Sequence, residues 1–327
     1  MLIFILKRIA GMIPAMLAIS ILAFTVIQLP PGDYVSTYAA QIAQSGESVD
    51  SAVLNNLRER YGLGENVVVQ YFKWIGGIAR GDFGDSFEWN QPVTDLVWGR
   101  MGMTALISLL TLLTMWAVSL PIGIISAVRQ YSIIDYLTTT FAFLATAVPE
   151  FLVAIVLLYI STMWFGVSVG GLFSPAFENA PLSWAKAWDF LQHAWIPILV
   201  IGLGSTAALT RIMRANLLDE LHKPYVEAAR AKGLPETRLI LAYPVRVALN
   251  PFISTIGWVL PALISGELIV STVLNLPTAG PLLLQALKSQ DMYLAGAFIL
   301  LTGGLVLIGT LISDILLAIS DPRIRMS

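Results

Sequence analysis

Cysteine and charge are scarce in this 327-residue chain. It has no cysteine, which excludes disulfides and thiolate metal sites. Charged residues make up 12% of the chain, about half the usual share in a globular protein. The two histidines, His193 and His222, are too few and too far apart in sequence to predict a metal centre. The net charge of -2 lacks the basic surplus expected of a nucleic-acid-binding protein.

Apolar residues are abundant, at 57% of the chain with a mean hydropathy of +0.76, which points to a membrane protein. A transmembrane helix needs roughly 20 mostly apolar residues. Six segments qualify: 9–29, 102–128, about 137–165, 195 to about 212, about 252–273 and about 294–319. The predicted fold is therefore an all-α polytopic membrane protein with six transmembrane helices. A cleaved signal peptide is the alternative for the first segment, but its apolar run is longer than a typical signal sequence.

Lysine and arginine set the predicted orientation, because short cytoplasmic loops collect positive charge. Six spans put both termini on one side, and the short loops opposite carry only Lys186 and Lys288. The segment 30–101 is too long to weigh in this rule. The lysines and arginines on the side of the termini are Lys7, Arg8, Arg129, Arg211, Arg214, Lys223, Arg230, Lys232, Arg238, Arg246, Arg323 and Arg325. Both termini are therefore predicted to be cytoplasmic.

This topology divides the chain into three parts: the N-terminus and first span (1–29), a helical external segment (30–101) and a membrane core (102–327). In the external segment, Asp50 or Ser51 is a possible N-cap of a helix that ends at Gly62. "VVVQYFKWIGGIARG" is a second amphipathic stretch, and Pro92 predicts a third short helix. The apolar faces of these helices either pack on the ends of the spans or meet an external partner.

The predicted cytoplasmic loop between spans four and five, about 214–250, holds an unusual share of the charge. In "PYVEAARAKG", Pro224 suits the first position of a helix and Glu227 lies near its positive N-terminal end. Arg230 and Lys232 lie near the negative C-terminal end, and Gly233 can adopt the left-handed conformation that ends a helix.

A second short helix is predicted in "PETRLILAY", with Pro235 and Glu236 at its start. Helices shorter than roughly 12 to 15 residues are marginal in water, so this pair needs a supporting surface. That surface is either the inner end of the protein's own spans or a groove on a cytoplasmic partner.

Within this loop, "EAARAKG" resembles the EAA loop of ATP-binding-cassette importer permeases, with Glu227, Ala228, Ala229 and Gly233 at the motif spacing. Three further stretches are similar to the dipeptide/oligopeptide-type permeases of that family: "RIAGMIPAMLAISILAFTVIQLPPGD", "LRERYGLGENVVVQYFKWIGGIARGDFGDSF" and "SDILLAISDPRIR". Together the four cover nearly the whole chain. The Ile-x-Leu-Pro element of the general motif is missing, since Tyr243 to Arg246 stand in its place, and the register after Gly233 is open.

The resemblance implies a non-catalytic transport subunit whose loop forms a coupling helix in a cleft of an ATPase. The residues it assigns to that contact are Tyr225, Glu227, Ala228, Ala229, Arg230, Lys232 and Gly233. It also implies a second homologous permease, two ATPases that carry ATP and Mg, and an external solute-binding protein, all at the bacterial inner membrane. The chain itself has no GxxxxGK[ST] phosphate loop and no implied cofactor.

The solute implied by the resemblance is a peptide, with an oligosaccharide or another small solute as the alternative. A secondary transporter or channel is the alternative of another class, although no convincing inverted repeat is present. Two carboxylates inside predicted spans, Glu150 and Glu267, are candidate pore-lining groups, because an ionisable side chain at membrane depth needs a partner or water. The alternative for each is a structural hydrogen bond to a neighbouring helix.

Overall fold

The structure is a computed structural model that describes residues 2–29, 32–44, 51–61, 64–165, 170–178 and 180–320. The predicted helix ends Asp50 and Gly62 and the predicted cytoplasmic Arg323 and Arg325 lie outside these ranges. The helices of the described residues are α1 (Leu2–Gln28), α2 (Tyr34–Gln44), α3 (Ser51–Tyr61), α4 (Val67–Ile78), α5 (Val93–Val128), α6 (Ile133–Ala147), α7 (Glu150–Phe165), α8 (Trp184–Leu221), α9 (Pro224–Ala231), α10 (Glu236–Ala242), α11 (Pro244–Ser254), α12 (Ile256–Val273), α13 (Ala279–Lys288) and α14 (Met292–Ser320).

The predicted all-α membrane fold is confirmed. Among the described residues, α1, α5, α8, α12 and α14 are each long and apolar enough to cross a bilayer. The third predicted span is not one straight helix: α6 and α7 meet at a bend of 97° and make a sixth crossing only when they are counted together. Pro149 causes the break, because a proline disfavours helical geometry in the residue before it, and Val148 is extended at φ -99 and ψ 126.

Helix α8 is much longer than the predicted span 195–212, with 38 residues and a length of about 57 Å. Apolarity marks only the part of a helix that lies in the membrane. The helix begins earlier because Ser183 caps it by accepting a hydrogen bond from the Lys186 backbone N–H at 3.2 Å. Its polar C-terminal end continues to Leu221.

The third short helix predicted at Pro92 is wrong as a separate element. A single helix of 36 residues, α5, begins at Val93 and runs on through the predicted second span. The sequence prediction also missed α2. That helix begins with a reciprocal cap, in which the Ser36 N–H donates to Asp33 Oδ1 and the Asp33 N–H donates to Ser36 Oγ, both at 2.7 Å.

The predicted cytoplasmic loop contains three short helices rather than the two predicted. Helices α9 and α10 are found where the sequence placed them, with 8 and 7 residues. A third helix, α11, begins at Pro244, because proline lacks an N–H and fits the first turn of a new helix. The fifth span consequently begins at Ile256, after α11, and not near residue 252.

The chain forms two compact units, each described by itself. One comprises Arg8–Thr104 and Pro277–Leu305, and is called the α4 unit; the other comprises Met1–Lys7, Ala105–Leu276 and Val306–Ser327, and is called the α8 unit. In the α4 unit, Trp74 of α4 packs on Phe24 of α1 with ring centroids 5.8 Å apart. The inner face of α4 therefore packs on its own chain, which is the first of the two alternatives for the external helices.

The α4 unit also contains a buried carboxylate that links two of its segments. Asp291 accepts hydrogen bonds from Ser86 Oγ at 2.5 Å and from the backbone N–H groups of Glu88 and Leu294, both at 3.2 Å. It thereby joins the loop after α4 to the start of α14.

In the α8 unit, α8 packs against α6, α7, α11 and α12. Its buried face supplies large apolar side chains at helical spacing, among them Leu209, Met213 and Leu217. Trp116 of α5 packs on Phe252 of α11, with ring centroids 5.5 Å apart. The predicted coupling residues and the predicted pore-lining residues Glu150 and Glu267 all belong to this unit.

Candidate functional site

The predicted coupling residues lie on α9 and the turn that follows it. Pro224 is the first helical residue, and Glu227 and Arg230 lie in the first and last turns as the end signals predict. Val226 and Ala229 are buried against the protein. The other predicted coupling residues form the exposed face: Tyr225, Glu227, Ala228, Arg230, Lys232 and Gly233.

Gly233 ends this helix in the left-handed region, at φ +78. A Cβ added there would meet no atom within 4 Å, so the backbone conformation and not the space requires glycine. Its N–H donates to the Arg230 carbonyl at 3.0 Å and turns the chain toward α10.

An exposed ion pair bridges this turn from α9 to α10. Arg230 donates from Nη2 to Glu236 Oε1 at 2.7 Å and from Nε to Oε2 at 3.2 Å. The hydrogen bonds from Arg230 lower the pKa of Glu236, so the carboxylate is ionised at neutral pH. The paired charges thus bridge the bend between the two short helices.

A second cluster joins α9 to the end of α8. Glu220, 9% exposed, accepts from Lys223 Nζ at 2.6 Å and from the Tyr225 hydroxyl at 2.7 Å. Burial, together with this hydrogen bond, raises the pKa of Tyr225 to about 12, so its hydroxyl stays protonated and donates. The sequence prediction missed Glu220; its signal is an acidic residue three positions before a lysine and five before a tyrosine at a helix junction.

A third cluster joins the C-terminal part of α8 to the start of α6 and the turn before it. Arg214 donates from Nε to Asp135 Oδ1 at 2.6 Å and from Nη2 to Oδ2 at 2.8 Å. Asp135 is 3% exposed and also accepts from Ser126 Oγ and from the Tyr131 backbone N–H. The two residues are 79 positions apart, so no local pattern in the sequence reveals the pair.

Glu150 is the first residue of α7, directly after the break at Pro149. Its carboxylate lies between α8 and α12 at two glycines. A Cβ on Gly204 would be 3.2 Å from Oε1, and a Cβ on Gly266 would be 2.8 Å from Oε2.

Glu267, the other predicted pore-lining residue, has an exposure of 0%. It lies on α12 next to Gly266, and its side chain is fully buried. The break at Pro149 therefore brings Glu150 against the same part of α12 that carries Glu267. Glu150 remains partly exposed and Glu267 does not. In the described ranges, no group of three His, Asp or Glu side chains is placed to hold a metal ion.

Comparison with known proteins agrees with this architecture. Residues 119–326 match the family model of the binding-protein-dependent transport system inner membrane component, and residues 1–109 match the model of the N-terminal region of such membrane components. The oligopeptide transport system permease protein AppB of Bacillus subtilis is 34% identical over 326 residues, covering 98% of this chain and 99% of that protein. The nickel import system permease protein NikB of Staphylococcus aureus is 29% identical over 323 residues, covering 98% of this chain and 92% of that protein.

The chain belongs to the family of binding-protein-dependent transport system inner membrane components, the permeases of ATP-binding-cassette importers. It is a multi-pass membrane subunit with a non-catalytic transport role, and ATP hydrolysis belongs to a separate subunit of such importers. The family predicted from the four sequence stretches is confirmed. The secondary transporter or channel is not supported.

Proposed function

We propose that this permease forms half of the translocation pathway of a peptide importer in the bacterial inner membrane. The other half would be a second homologous permease, and an external binding protein would deliver the solute. The name of the Bacillus relative, an oligopeptide permease, supports a peptide as the solute. Because one relative is a nickel import permease, the alternative solutes are another small solute or an oligosaccharide.

We infer that α9 is the contact with the ATPase subunits, which would carry ATP and Mg. The observation that carries this proposal is the division of α9 into two faces. Val226 and Ala229 attach it to the permease, while Glu227, Ala228 and Arg230 lie on its exposed side. A helix of 8 residues is too short to be stable alone, and its exposed charged face suits a cleft on a soluble protein.

Movement of α9 would pass to the spans through α8. Glu220 holds α9 at the end of α8, and the Arg214–Asp135 pair joins α8 to the start of α6. Further along α8, Gly204 receives the carboxylate of Glu150 at the start of α7. The start of α6 and the break between α6 and α7 are thus both tied to α8, so closure of the ATPases would move these parts of the bent pair together with α8.

Glu150 is the better of the two candidates for a pore-lining group. It is partly exposed at the break of a span, whereas Glu267 is enclosed. Discontinuous helices often carry the solute-binding groups of membrane transporters. A carboxylate at such a break would suit the amino terminus of a peptide. Glu150→Gln in the uptake assay below tests this role: a changed apparent KM for peptides supports it, and unchanged kinetics contradict it.

The test uses the complete importer in proteoliposomes with its binding protein. Peptide uptake should require ATP, and an equal concentration of oligosaccharide should not be transported. Glu227→Lys reverses a charge on the exposed face of α9 and should lower uptake at least ten-fold, because a like-charge contact costs several kcal/mol in an interface and about 1.4 kcal/mol is already ten-fold. Glu59→Lys makes the same change on the exposed surface of α3 and should leave uptake unchanged.

The two parts of the proposal fail separately. ATP-dependent uptake of a solute other than peptides would reject the solute and keep the coupling role. Equal uptake by the Glu227→Lys and Glu59→Lys variants would reject α9 as the ATPase contact and keep the solute.

A further inference from the structure

A groove of about 350 Å³ lies beside the coupling segment, between α5, α6 and α10. Its apolar wall consists of Ile124, Ile125 and Val128 of α5, Ile134 of α6, and Ile240 and Leu241 of α10. The two remaining lining residues are Arg129 and Thr237, and none of the eight is acidic. The groove thus combines an apolar trough with one cation and one hydroxyl group.

Much of this apolar wall is left uncovered by the chain. Leu241 is 60% exposed, and Ile125, Val128 and Ile134 are each about two-fifths exposed. Ile125 and Val128 lie in the last turn of α5, a helix that is long and apolar enough to cross a bilayer. Acyl chains of the bilayer would therefore reach the groove from this end of α5.

The polar end of the groove lies where that apolar run stops. Arg129 follows the last residue of α5 and is exposed. The nearby tyrosines Tyr131 and Tyr136 are 72% and 61% exposed, and tyrosine is enriched at the level of the lipid headgroups. An arginine at this level, beside an apolar trough, is complementary to a lipid phosphate above an acyl chain.

We propose that this groove binds an anionic phospholipid of the inner leaflet. Its phosphate pairs with the Arg129 guanidinium and accepts a hydrogen bond from the Thr237 hydroxyl, and one acyl chain lies along Ile125, Val128 and Leu241. The lipid would fill the gap between α10 and the end of α5. The bilayer would then give the short helix α10 part of the support that it lacks by itself.

The test measures lipid selectivity with the full importer in nanodiscs. Spin-labelled phosphatidylglycerol and phosphatidylcholine report the lipid held by the protein. The wild type should prefer phosphatidylglycerol, and Arg129→Gln should lower that preference about five-fold, the value of one cation near an anionic surface. Arg246→Gln removes an exposed arginine of α11, outside the groove, and should leave the preference unchanged. Equal losses in the two variants would mean that the attraction is unspecific and would overturn the proposal.

Filling the groove and labelling it give independent checks. Ile125→Trp should reduce the retention of both lipids, since the ring occupies the trough; unchanged retention of phosphatidylglycerol would overturn the proposal.

A photo-crosslinking residue in place of Leu241, in the assembled importer, should add the mass of a phospholipid to the permease. Crosslinking to an ATPase subunit instead would show that a protein covers the groove and would overturn the lipid assignment.

Discussion

The carboxylate of Glu150 occupies the space that a side chain on Gly266 would need. A Cβ at position 266 would lie 2.8 Å from Oε2, closer than real Cβ atoms approach an oxygen. Gly204 on α8 leaves space for the other carboxylate oxygen, since a Cβ at position 204 would lie 3.2 Å from Oε1. Glycines let helices and side chains approach closely inside a membrane. The start of α7 can therefore approach both α8 and α12, because each of these helices has a glycine at the point of contact.

Replacing Gly266 by alanine should destabilise the permease. The new methyl group must displace the Glu150 carboxylate or push α7 away from α12, and overpacking of this kind costs about 1–3 kcal/mol. Thermal unfolding of the purified permease in detergent measures the effect as a lower melting temperature. Gly102→Ala is the matched control, because a Cβ at position 102 of α5 has open space and alanine favours a helix.

The same contact predicts that the loss depends on Glu150. In a Glu150→Ala background, Gly266→Ala should no longer lower the melting temperature, since the colliding oxygen is gone. Residues in contact give non-additive effects of this kind. An equal loss in both backgrounds would place the strain elsewhere and contradict the role of the carboxylate.

Arg214→Leu should be among the more damaging single changes in the α8 unit. It leaves the buried carboxylate of Asp135 without its ion partner, at a cost of about 3 kcal/mol. Adding Asp135→Asn should recover part of the loss, because the uncompensated charge is then removed. Melting temperatures of the two single variants and the double variant measure the coupling, and strict additivity would show that the pair does not join α8 to α6.

Local chemistry made the coupling segment predictable from the sequence. Pro224, Glu227 and Gly233 each carry a helix-end signal that acts within one or two turns, and α9 and its left-handed end are found where those signals stand. The length of α8 was not predictable in the same way, because hydropathy indicates which residues lie in the membrane and does not indicate where the helix begins or ends. The cap at Ser183 is the local signal that marks its true start.

Contacts between distant segments could not be predicted. Gly204 and Gly266 are ordinary helix residues in the sequence, and only the bend at Pro149 brings Glu150 against both. For the same reason, the sequence alone could not separate Glu150 from Glu267, and both were predicted as pore-lining candidates. A carboxylate inside a span signals a need for partners, and the packing decides whether it is partly exposed or fully enclosed.

Tyr225→Phe should weaken the attachment of α9 to α8 without unfolding the permease. The change removes only the hydroxyl that donates to Glu220 at 2.7 Å, a hydrogen bond to a charged group of about 1.5–3 kcal/mol. We expect more ATP hydrolysed per peptide transported, measured with the complete importer in proteoliposomes. Tyr243→Phe alters another exposed tyrosine of the loop and should leave this ratio unchanged. A normal ratio in the Tyr225→Phe variant would mean that Glu220 does not position α9.

Replacing Gly233 tests whether position 233 requires glycine for its left-handed backbone or for close contact with a partner surface. Alanine at φ +78 costs about 1–2 kcal/mol, because a Cβ is disfavoured in the left-handed region. Asparagine tolerates that region better and should be the milder change. The space around position 233 is open, so neither side chain collides with the permease itself. Peptide uptake should therefore fall in the order glycine, asparagine, alanine if backbone strain in the α9–α10 turn controls coupling. Equal losses for asparagine and alanine would instead indicate that a surface of the ATPase lies against Gly233 and rejects any side chain there.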